Sequence, residues 1–79
     1  MTTKVKKIKR NKKNKNDVLL REYREMWGYS QKQVAKFVDI NQRTISTYEL
    51  GIRKPPIKTA VKLARLFHVQ VDDIFPVED

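Results

Sequence analysis

Gln42, Arg43, Thr44, Ser46 and Thr47 crowd hydrogen-bonding side chains into one short stretch, relieved only by Ile45 and then Tyr48. These residue types present paired donors and acceptors, so the stretch suits either solvent or a polar partner with an ordered array of hydrogen-bonding groups. Catalytic sets are weaker. Asp72 and Asp73 are adjacent and do not face each other on a helix, and nothing in the spacing brings Ser30 or Ser46 to His68. A single histidine and no cysteine leave no metal site, and Gly28 and Gly51 alone make no phosphate-cradling loop. The expectation is a protein without cofactor or metal that is not an enzyme.

The elements that would position the polar stretch are helical. Leu19, Leu20, Tyr23 and Trp27 recur at offsets of three and four, with Asn16 or Asp17 as a cap and Gly28 as a stop. Ser30 and Gln33 form a capping-box pattern, with Tyr29 placed to pack on Val34, and Val34, Phe37 and Val38 are the expected buried stripe beside small Ala35. Asp39, Ile40 and Asn41 make a short turn in which Asp39 tolerates a left-handed backbone, Ile40 anchors the core and Asn41 caps the next helix. That spacing is the one of a helix-turn-helix.

The third helix is expected over residues 42–50, with Ile45, Tyr48 and Leu50 as its apolar positions and Gly51 as its end. The basic "RKPP" link leads to a fourth helix starting around Pro56, whose apolar face is Ile57, Ala60, Val61, Leu63, Ala64 and Phe67, with His68 at its C-terminal cap. Residues 70–75 read as one further turn, with Asp72 and Asp73 at its dipole-favoured end and Ile74 and Phe75 returning to the core.

Charge is distributed unevenly. The 79-residue chain has a formal net charge of +9 from 18 basic and 9 acidic groups. Residues 1–16 contain Lys4, Lys6, Lys7, Lys9, Arg10, Lys12, Lys13 and Lys15 and no acid, which leaves residues 17–79 nearly neutral. The sequence therefore divides into a flexible, disordered lysine-rich arm over 1–16 and one small domain over 17–79. The arm suits a polyanion, nucleic acid first; Val5 and Ile8 are too few for a membrane-binding face, no apolar run spans a bilayer, and no membrane partner is expected.

From Leu19 to Phe75 the sequence resembles the Cro and CI repressor group of helix-turn-helix proteins, the xenobiotic-response-element type. The resemblance rests on Arg24 and Gly28, Ser30 and Gln31, Ala35, "TIS" with "YE", Gly51, Pro55 and "DDIF". Asp39, Leu50, Pro56 and His68 depart from the usual glycine, polar, serine and glycine residues there. The resemblance implies an all-α, compact five-helix, lambda-repressor-like domain whose third helix enters the major groove. Gln42, Arg43, Ser46 and Thr47 match its base-contacting positions. Gln31, Arg53 and Lys54 match backbone-contacting ones, and Glu49 a structural partner of Arg24.

The residue chemistry agrees. A major groove about 12 Å wide admits one helix, where arginine grips guanine, glutamine grips adenine, and threonine meets a base or a thymine methyl. Ser46 can bond a base or phosphate. Lys32, Lys36, Asn41 and Thr44 join Gln31, Arg53 and Lys54 as expected backbone contacts, with a solvated face as the alternative for Lys32 and Lys36. The expected function is a cytoplasmic, sequence-specific regulator of transcription, a repressor encoded by a bacterium or phage, whose partner is double-stranded DNA. If it forms a homodimer on a palindromic site, the domain's own surface around Leu66, Val69 and the C-terminal residues is the expected contact. The alternative is a protein-interaction or RNA-binding adaptor using the same fold and the basic arm.

Overall fold

The computed structural model describes residues 18–75. They form α1 (Leu20–Met26), α2 (Gln31–Val38), α3 (Gln42–Glu49), α4 (Ile57–Leu66) and α5 (Val71–Ile74). The expected cap at Asn16 or Asp17 lies outside the described residues; the helix itself starts later than the apolar spacing suggested. Leu19 N–H donates to the Ile74 carbonyl at 2.8 Å, tying the start of α1 to α5.

The first four helices end alike. Gly28, Asp39, Gly51 and His68 all have positive φ, between 58° and 75°. After each, the chain turns back so that two amide N–H groups reach carbonyls of the last helical turn: Gly28 to Glu25 and Tyr29 to Arg24, for example, at 3.0 Å each. Asp39 and His68 hold this left-handed position without being glycine, at some cost in strain. At the other end of α2, Ser30 Oγ accepts from the Gln33 amide at 3.0 Å and Gln33 Oε1 accepts from the Ser30 amide at 2.8 Å. These reciprocal bonds are the capping box that the residue spacing predicted.

The core gathers Leu19, Leu20, Tyr23, Val34, Ala35, Val38, Ile45, Tyr48, Ala60, Leu63, Ala64, Phe67, Ile74 and Phe75. Helix α2 packs on α3 and α4, α4 on α5, and α1 on α3. The rings of Tyr23 and Phe67 stack at its centre with centroids 6.2 Å apart. Trp27 is half-buried between the rings of Tyr29 and His68, and its indole Nε1 is enclosed without a hydrogen-bond acceptor.

Three apolar residues expected inside are outside. Phe37 is 61% exposed because Val34, Ala35 and Val38 take the covered arc of α2; at roughly 100° per residue Phe37 falls beyond its edge. It leans on the Tyr29 ring instead, centroids 5.5 Å apart. Leu50 is 71% exposed, since it follows the last turn of α3 and nothing packs over it. Ile57, at 70%, opens α4 before that helix reaches its neighbours, and Val61 is half-buried, so the α4 core face is narrower than its composition suggested. Pro56 is the cap before α4, with extended ψ of 156°, not its first helical residue.

Candidate nucleic-acid interface

Three residues, Asp39 to Asn41, separate α2 from α3. The turn is closed by Asp39 in its left-handed conformation, by the Ile40 amide on the Ala35 carbonyl at 2.9 Å, and by the half-buried Ile40 side chain. Asn41 then caps α3, its Oδ1 accepting from the Arg43 amide at 2.9 Å. The cap uses only the oxygen of that exposed side chain, so its amide NH2 keeps its donor capacity.

Ile45 and Tyr48 pin α3 to the core. The helix period then fixes what faces outward: Gln42 and Arg43 are exposed, Ser46 and Thr47 half-exposed on the same side. Thr47 is less free than its residue type suggested. Its hydroxyl donates to the Thr44 carbonyl at 2.7 Å, leaving lone pairs and a methyl group for any partner. Its carbonyl accepts from the Ile52 amide at 3.0 Å, holding the turn that carries exposed Arg53 and Lys54. Lys32 and Lys36 lie exposed on α2, and Thr44 is half-buried.

The placement of α3 depends on a polar node beneath it. Arg24 Nε donates to Glu49 Oε2 at 2.6 Å and Nη2 to Oε1 at 3.3 Å, while Nη1 donates to the Tyr29 carbonyl at 2.9 Å. Gln31 Nε2 adds a bond to Glu49 Oε1 at 3.0 Å. The node thus ties α1, the start of α2 and the end of α3, with the Arg24 and Glu49 side chains only 12% and 5% exposed. The hydrogen bond that Arg24 donates to Glu49 raises the Arg24 pKa above its ordinary value, against the opposing effect of burial. Gln31, expected to meet phosphate, is therefore partly engaged inside the protein; one amide hydrogen remains.

Above this node lies a recess of about 250 Å³, lined by Arg21, Arg24, Gln31, Ser46, Glu49 and Leu50. No motif in the sequence marks Arg21 for this recess. Its only signal was a position three residues before Arg24, on the polar side of α1. Among the described residues, no three His, Asp or Glu side chains could hold a metal ion, and no helix is long and apolar enough to cross a membrane.

Residues 20–74 match the helix-turn-helix family. The chain belongs to that family. It is 35% identical over 60 residues to an HTH-type transcriptional regulator of Archaeoglobus fulgidus, covering 76% of this chain and 86% of that one. It is 38% identical over 53 residues to the HTH-type transcriptional regulator ImmR of Bacillus subtilis, covering 67% of this chain and 42% of ImmR. The crystal structure of the restriction-modification controller protein C.AhdI from Aeromonas hydrophila superposes with a TM-score of 0.67 at 26% identity, covering 77% of this chain and 92% of that one. This helix-turn-helix protein is a DNA-binding transcriptional regulator of the Cro and CI type, with the lambda-repressor-like arrangement that its motifs implied.

Proposed function

We propose that this regulator is a sequence-specific repressor that lays α3 in the major groove and reads base edges with Gln42, Arg43, Ser46 and Thr47. The observation that carries the reading is the division of α3: Ile45 and Tyr48 are buried, and four hydrogen-bonding side chains stand together on the other side. Arg43 suits the paired acceptors of guanine, Gln42 the donor and acceptor of adenine, and Thr47 offers its methyl to thymine. Gln31, Lys32, Lys36, Asn41, Thr44, Arg53 and Lys54 flank that face along the sequence and serve as backbone contacts that set register without reading sequence. A prokaryotic cytoplasm, bacterial or phage-directed, is the setting that fits the Bacillus relative.

A homodimer on a palindromic site completes the proposal. Two-fold symmetry would set the two α3 helices about 34 Å apart, one turn of DNA. Leu66 and Val69 are half-buried against the core of their own domain, so they offer a dimer contact only their outer edges.

Selection of bound duplexes from a random pool tests the whole reading. A recovered consensus with two inverted half-sites supports it. Recovery of no consensus, together with tight RNA binding, would overturn it in favour of the adaptor role.

A further inference from the structure

We propose that the recess between α1, α2 and α3 seats one phosphate of the DNA backbone and that Arg21 is the residue that closes on it. The inference rests on α3 facing DNA, because Ser46 belongs both to the outward side of α3 and to the lining of the recess. A phosphate at its mouth would border the groove that α3 enters.

The recess is large enough and has the right charge. A water molecule takes about 30 Å³, so about 250 Å³ holds a phosphodiester group with solvent to spare. Glu49 is the one acidic residue in the lining, and both its oxygens already accept, from Arg24 and Gln31. Three of the five N–H donors of Arg24 are committed as well, Nε and Nη2 to Glu49 and Nη1 to the Tyr29 carbonyl, and its charge is balanced by Glu49. With Arg24 and Glu49 cancelling, Arg21 leaves the lining with one net positive charge.

Arg21 can move to a phosphate at little cost. Among the described residues, its hydrogen bond is from Nε to Glu25 Oε2, a long 3.4 Å, between side chains 66% and 56% exposed. Exposed pairs of this kind contribute little, and phosphate offers the paired acceptors that a guanidinium fork prefers. The remaining Gln31 amide hydrogen and the Ser46 hydroxyl supply further donors. Leu50 brings none to the rim, so the charge that holds the phosphate comes from α1 and not from the end of α3.

The test compares the full chain with Arg21→Ala, Arg21→Lys, Arg43→Ala and Lys62→Ala, the last an exposed lysine on α4, which contributes nothing to the recess. Binding to a selected duplex and to a random duplex of equal length is measured across a salt series, with folding checked by circular dichroism. Arg21→Ala should lose roughly tenfold on both duplexes and reduce the log–log salt slope by about 0.9. Arg21→Lys should keep the slope. An Arg21→Ala slope equal to the parent's, or a change no larger than that of Lys62→Ala, overturns the phosphate seat. If Arg43→Ala leaves the base preference intact, the base-reading role of α3 falls instead, while the seat stands or falls on the Arg21 slope.

Discussion

Arg24 and Glu49, 25 residues apart in the chain, meet with Nε 2.6 Å from Oε2 beneath the outward face of α3. The bond joins the helix that starts the domain to the end of the one proposed to read DNA. Removing one partner strands the other in a site where it is almost fully covered. Glu49→Ala should therefore cost about 3 kcal/mol in chemical denaturation, whereas Arg24→Met combined with Glu49→Leu should be near neutral in stability. A single variant as stable as the parent would contradict the role given to this pair.

The same pair sets a pH expectation. Arg24 has a folded pKa raised above its ordinary value, chiefly by the Glu49 hydrogen bond. A group raised on folding stabilises below its unfolded value and loses that contribution only as pH climbs through the folded one. Arg24 titrates only in strong alkali, so the stability difference between Arg24→Met and the parent should be equal at about pH 6 and about pH 10. A difference that shrinks between those values would count against the assignment.

Arg43 is exposed on the proposed reading face and bears no structural bond through its side chain among the described residues. Arg43→Ala should lose about 1–3 kcal/mol on the selected duplex, at unchanged fold stability, and relax the preference at one base pair. Equal losses on random DNA would rule out base reading by this residue.

Asp39 occupies a left-handed backbone position, φ 59°, at the end of α2. Asp39→Gly should stabilise the domain by up to about 1 kcal/mol, because glycine enters this region without a Cβ penalty. Thermal unfolding reads it; a clear loss would mean that the Asp39 side chain is itself needed.

The lysine-rich arm lies outside the described residues, and its chemistry is legible only as charge. Deleting residues 1–15 should flatten the salt dependence of DNA affinity, as lost phosphate contacts do. An unchanged slope would show that the arm takes no part.

What the sequence by itself determined is local. Ser30 with Gln33, Asn41, Gly28, Gly51 and the positive φ of Asp39 are set by side chains and backbone within a few residues, so the helix ends and the short α2–α3 turn could be read in advance. The outward side of α3 was legible for the same reason, since Ile45 and Tyr48 recur at the helical period. Tertiary structure decided which apolar side chains are covered. Phe37, Leu50 and Ile57 look no less hydrophobic than Val34, Ile45 or Leu63, yet burial depends on whether another helix passes over them, and none does. It likewise decided that Gln31 bonds Glu49 and that Arg21 borders a recess with Ser46. Those meetings join residues far apart in the chain, and only the packing of α1, α2 and α3 brings them within reach.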